Sequence, residues 1–141
     1  MSLERKCRTV KMRLNFLVAT FIFMCAITGC MNGKTKEFQE AVDNYSDYYY
    51  DYEKYEKQYE VGDMKLLDYE ISSDLAQKNM LSNLRDMSDI YDESQNTKAF
   101  DDYLRGRITY EMIEKSIEYD EDNTLPEDSK LIDHIKEMDK K

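Results

Sequence analysis

Residues Phe38-Gln39-Glu40-Ala41-Val42-Asp43-Asn44-Tyr45-Ser46-Asp47-Tyr48-Tyr49-Tyr50-Asp51-Tyr52-Glu53-Lys54-Tyr55-Glu56-Lys57-Gln58-Tyr59 decide the fold class of this 141-residue chain. Phe38, Tyr45, Tyr52 and Tyr59 recur every seven residues. Ala41, Tyr48 and Tyr55 occupy a second seam three places on, and Val42 and Tyr49 widen the stripe. That is the a/d spacing of a helix packed along its length over three heptads. Thr35 is placed to cap it, and Gly62, free to take a left-handed conformation, to end it. The spacing predicts an element of about 27 residues, roughly 40 Å long at the α-helical rise.

Helical periodicity continues beyond the glycine. From Asp63, a residue suited to an N-cap, to about Glu93, one stripe is formed by Met64, Leu67, Ile71 and Leu75. A second, rotated around the axis, is formed by Met80, Leu84, Met87 and Tyr91. Such a change of face means either a bend near Gln77-Lys78-Asn79 or different partners for the two halves. With no Gly or Pro between 63 and 105, a continuous or gently bent helix is expected.

The turn-forming Ser94-Gln95-Asn96-Thr97 introduces a third helix. It is apolar on two sides, through Phe100, Leu104, Ile108 and Met112 and through Tyr103, Tyr110, Ile113 and Ile117, which suits the middle of a bundle. Gly106 is its weak point, a kink or a close approach. Thr124-Leu125-Pro126-Glu127 fits a capping box with proline in the first turn, ahead of a short helix carrying Leu131, Ile132, Ile135 and Met138. With one Pro, four Gly and no β-alternation, the expected architecture is all-α. It is a small antiparallel bundle of three long helices plus a short C-terminal helix, occupying residues 35–141.

The chain carries 20 Lys+Arg against 30 Asp+Glu, a formal charge of -10, but the basic residues are front-loaded. Residues 31–141 hold 15 basic and 29 acidic side chains, an excess of 14 negative charges. Phosphate binding needs a basic footprint, so no nucleic-acid partner is expected. Flat contact with anionic lipid is disfavoured for the same reason.

Residues 1–29 have the organisation of a targeting segment: Arg5, Lys6, Arg8, Lys11 and Arg13, then the apolar stretch Phe16 to Ile27, then Thr28-Gly29-Cys30. The apolar stretch is shorter than the roughly 20 residues that span a bilayer core as a helix. Ile27-Thr28-Gly29-Cys30 resembles the lipobox of bacterial lipoproteins. The resemblance, confined to the first 30 residues, implies that 1–29 are a signal peptide removed before Cys30. It implies that Cys30 carries a diacylglyceryl group as the first mature residue and that 30–34 form a lipidated tether. The membrane is then a partner through Cys30, with the domain outside the cytoplasm. With Met rather than Asp at position 31, the family's sorting rule implies the outer membrane of a double-membrane bacterium, or the outer face of the cell membrane where there is only one. Two acyl chains, at about 0.8 kcal/mol per buried CH₂, hold a soluble domain stably where one does not. Met12 offers a second start for the same signal. Cys7 and Cys25 fall within it, so the mature chain keeps Cys30 alone and no internal disulfide is expected.

No catalytic constellation emerges. His134, the single histidine, shares a helix with Ser129 and Asp133, where a nucleophile, base and orienting group cannot assemble by themselves. Leu131 stands where the Glu-x-x-His pair of helical di-metal proteins needs Glu, so His134 reads as a solvent-facing residue. Asp120-Glu121-Asp122 fails the helix–loop–helix calcium template at Leu125, where Gly is required, and at Leu131, where a bidentate Glu is. Neither enzymatic activity nor a metal or cofactor is expected. What stands out is tyrosine: seven of the twelve lie between 45 and 59. A helix seam buries only part of them. That leaves Tyr49 and Tyr50 as candidates for a binding face, because exposed tyrosine offers contact area at low entropic cost. The expected function is a non-catalytic envelope lipoprotein presenting an acidic, tyrosine-rich bundle to another protein. The alternative is a bundle that holds a small molecule or metal between helices, with Met80, Met87 and Met112 lining its interior. A pocket with converging polar groups would favour it and a solid core would not.

Overall fold

The tyrosine heptads form a helix, α1, that is already running at residue 33 and ends at residue 60. The computed structural model describes residues 33–141, so the lipobox-like segment and Cys30 lie outside the described residues. Thr35 sits inside α1 and not at its cap. The C-terminal end follows the glycine signal: Gly62 has φ +79°, its N–H donates to the Tyr59 carbonyl at 3.0 Å, and the Asp63 N–H reaches back to the Gln58 carbonyl at 2.9 Å. This pair of bonds is the Schellman closure, in which a left-handed residue lets the chain satisfy the last carbonyls and turn away.

After five residues outside a helix, 61–65, the chain re-enters one. α2 runs unbroken over Leu66–Glu93, with Lys65 and not Asp63 at its N-cap and no side-chain bond there. No break occurs at 77–79, so the change of apolar face arises from different surroundings of the two halves. α1 and α2 are antiparallel, as the cross-helix contacts show. Tyr59 stacks on Tyr69 with ring centroids 4.6 Å apart, and at the other end Phe38 lies 6.4 Å from Tyr91.

The third helix is interrupted where Gly106 was the weak point. α3 spans Lys98–Leu104 and α4 spans Tyr110–Tyr119. Gly106, at φ +72°, lets the Arg107 and Ile108 N–H groups both bond the Leu104 carbonyl at 3.1 Å. Thr109 then opens α4 by accepting from the Met112 N–H at 3.3 Å. The last helix, α5, spans Lys130–Met138. It starts later than the Thr124 capping box predicts, because the Asp120 carboxylate takes the Thr124 hydroxyl, at 2.6 Å, and the Thr124 and Leu125 N–H groups, each at 2.8 Å. Ser129 caps α5 instead, accepting from the Ile132 N–H at 3.4 Å, and Asp92 of α2 takes the Leu131 N–H at 3.1 Å.

Among the described residues there are five helices and no strand, an all-α bundle. Residues Thr35–Lys141 make one compact unit. Its core joins Phe38, Tyr45, Leu84, Ile113, Leu131 and Ile135 from four of the five helices, with Phe100 and Leu104 from α3. Tyr45 ties α1 to α4 through its hydroxyl, which donates to the Met112 carbonyl at 2.8 Å and lies 2.8 Å from the Ser116 hydroxyl. No helix among the described residues is long and apolar enough to cross a membrane.

Candidate functional site

Along the first half of α2 the side chains sort by size in the sense opposite to a normal amphipathic helix. Ser73 and Ala76 are 8% and 4% exposed, whereas Leu67, Ile71 and Leu75 are 65%, 60% and 59% exposed. Four-residue spacing lines these three up along one side of the helix, and at 100° per residue that side is opposite Met80 and Ala76. Beyond Leu75 the pattern is conventional, with Met80, Leu84 and Met87 buried.

The exposed row separates two depressions. On one side Ile71 and Leu75 wall a crevice of about 120 Å³ with Tyr48, Asp51 and Tyr55 of α1. On the other, Leu67, Ile71 and Leu75 border an open trough of about 520 Å³ with Glu70, Asp74 and Lys78. Lys78 pairs with Asp74 at 2.8 Å, and the Tyr119 hydroxyl donates to the same carboxylate at 2.6 Å. These two bonds hold the Asp74 carboxyl below its ordinary range, Lys78 first and Tyr119 second. Burial and the Asp74 bond push the Tyr119 hydroxyl up to about 12.

The two tyrosines expected to form a binding face are separated by burial. Tyr50 is exposed at 61%, but Tyr49 is exposed at only 7% and belongs to the core. Tyr49 lies four residues beyond Tyr45 and so shares its inward side of α1. Its hydroxyl donates to Glu53 at 2.9 Å, and the Lys115 ammonium of α4 lies 3.2 Å from the same carboxylate and 5.1 Å over the Tyr49 ring. The Tyr49 hydrogen bond and the Lys115 contact lower the Glu53 carboxyl against the opposing effect of burial. Tyr49 is therefore a strut between α1 and α4. Tyr50 packs edge-on against it at 5.9 Å and faces away from the crevice.

His134 is half-buried and not solvent-facing. Its Nε2 lies 2.9 Å from Asp101 of α3, and its ring stacks on Tyr91 of α2 at 5.7 Å, so neighbours from two other helices cover part of it and leave 30% of the side chain exposed. Ser129 is buried and engaged by the Ser88 hydroxyl as well as by its cap. Ser129, Asp133 and His134 do not converge on a reacting position. The Asp120 carboxyl, held down by the Thr124 and Leu125 bonds against its own burial, organises the α4–α5 loop. Beside it lies a depression of about 210 Å³ that also involves Leu125, Pro126 and Ile132. Glu37, Glu40, Asp86 and Asp89 line an acidic depression of about 410 Å³ between α1 and α2. Among the described residues, no three His, Cys, Asp or Glu side chains are grouped to hold a metal ion. Met80, Met87 and Met112 are core filling, at 1%, 0% and 5% exposure.

The exposed row was missed as a site because sequence periodicity shows only that an apolar stripe has a partner. Two stripes on one uninterrupted helix require two partners, and the described residues cover only the second stripe. No family model matches the sequence, and no curated protein or solved structure matches it either.

Proposed function

We propose that the chain is a non-catalytic lipoprotein of the bacterial cell envelope, anchored through Cys30, whose helical bundle binds another protein. The lipobox-like Ile27-Thr28-Gly29-Cys30 and the basic, then apolar, segment before it support the anchor. The observation that carries the binding role is the outward row Leu67, Ile71 and Leu75. Fully burying a Leu or Ile is worth roughly 1.5–3 kcal/mol, so three such side chains left more than half exposed forgo several kcal/mol that the fold itself never recovers. Contiguous exposed apolar surface of this kind marks interaction sites on soluble domains.

Two measurements test the reading. Cys30→Ala should abolish incorporation of a clickable fatty acid and leave the chain at its precursor mass, with residues 1–29 uncut. A photo-crosslinking amino acid at Ile71, in the cell that makes the protein, should give a discrete adduct of higher mass. A wild-type chain that takes no label would remove the anchor, and no adduct from any exposed position would remove the binding role.

A further inference from the structure

Resting on the protein-binding reading, we infer that the occupant of the α2 row is an amphipathic helix of another protein, carrying Lys or Arg on both flanks of its own apolar stripe. The row at 67, 71 and 75 is an i, i+4, i+8 ridge, the element that seats in the groove of a second helix. It extends about 12 Å along the axis, so it engages two to three turns. The crevice between Ile71, Leu75, Tyr48 and Tyr55 and the trough on the opposite side give the partner's side chains a place on either side of the ridge. This is the helix-in-groove mode of recognition.

Charge selects the partner. Carboxylates flank the ridge on both sides, Asp51 and Asp68 on one and Glu70 and Asp74 on the other. The ammonium bordering the trough, Lys78, is already paired with Asp74 at 2.8 Å. Asp74 is thereby satisfied, by Lys78 and by the Tyr119 hydroxyl. A helix with basic flanks meets the remaining carboxylates, Asp51 and Asp68 on one side and Glu70 on the other, and is steered in by the net negative domain. A second copy of this chain is disfavoured. Antiparallel pairing about Ile71 sets Leu67 opposite Leu75 but also Asp68 opposite Asp74, and brings together two domains that each carry 14 excess negative charges. Anionic lipid meets the same carboxylates.

The test places the photo-crosslinker at Ile71 and, separately, at Leu75 in the full-length chain in its own cell, and sequences the crosslinked peptide by mass spectrometry. The expected peptide has apolar residues spaced three and four apart with Lys or Arg on both sides. Asp68→Lys combined with Glu70→Lys should lower its yield about tenfold or more, the effect of setting like charges together. Charge reversal in the partner should restore it. Both substitutions are at exposed positions, and an unchanged circular dichroism melt verifies that the variant is folded. A crosslinked segment that is acidic or non-helical, or residues 67–75 of a second copy, overturns this inference while the protein-binding reading stands. Absence of adducts from every exposed position overturns both.

Discussion

Ile71 and Ser73 stand two residues apart on α2 with their burial reversed: the isoleucine is 60% exposed and the serine 8%. Small residues, Ser73 and Ala76, take the inward side of the first half of α2, and Ala76 lies beside Tyr48 and Tyr55 of α1, which supply the bulk from the opposing helix. The large apolar side chains are then left on the outer face. Stability is not served by that exchange.

Substitution at Ile71 should accordingly leave the fold intact. Ile71→Gln is expected to change unfolding free energy by no more than about 0.5 kcal/mol, the usual range at exposed positions. Leu84→Ala, at a fully buried site on the same helix, should cost about 2–5 kcal/mol through lost burial and a cavity. Urea denaturation of the two variants measures the contrast. An Ile71→Gln loss comparable to that of Leu84→Ala would mean that the row belongs to the core.

How much of this was legible in the sequence depended on whether a signal was local or shared. The stop at Gly62 and the continuity of α2 are written in residues close together and are present as read, whereas the a/d seam of Phe38, Tyr45, Tyr52 and Tyr59 is buried at its first two positions, half-buried at Tyr52 and 40% exposed at Tyr59. The cap at Thr124 was lost to Asp120, whose carboxylate reaches the same hydroxyl and N–H. Two rules competed there, and only the packed loop shows which won. The solvent-facing reading of His134 failed because Asp101 and Tyr91, its neighbours, come from other helices. Tyr49 and Tyr50 are adjacent in sequence but about 100° apart on the helix, enough to put one in the core and the other in water.

Gly106 supports a prediction with a sign. Within an uninterrupted helix, Gly106→Ala would stabilise by about 1 kcal/mol. At φ +72°, the same change should destabilise by about 1–2 kcal/mol, the cost of a left-handed conformation with a Cβ. A Cβ there meets nothing within 4 Å, so the penalty is one of backbone conformation alone. Thermal unfolding decides the sign, and a higher midpoint for the alanine variant would require α3 and α4 to be continuous.

Beside the Tyr49–Glu53–Lys115 strut, α1 is tied to α4 in the core by the Tyr45 hydroxyl. Tyr45→Phe keeps the ring in the core but removes the donor to the Met112 carbonyl and the partner of Ser116. The expected loss is about 1–2 kcal/mol. Ser116→Ala should also destabilise. The double variant should lose less than the two single losses together, because the shared bond is counted only once. Strict additivity in this cycle would show that Tyr45 and Ser116 do not act as a pair.

Acid should act through Asp120, which is 8% exposed. Its folded-state carboxyl is lowered from the ordinary value of 3.8, burial being outweighed by the Thr124 and Leu125 bonds. A group whose folded pKa is depressed contributes stability that is fully present above the unfolded value and is lost as pH falls through the folded one. At pH 7, Asp120→Asn should therefore cost about 1–2 kcal/mol, since the amide retains an acceptor but not the charge that strengthens three bonds. The gap between wild type and variant should begin to narrow near the ordinary carboxylate value and continue to close below it. Denaturation series at several pH values follow that gap directly. A difference that stays constant through the acid range would show that the loop is held by shape and not by the carboxylate.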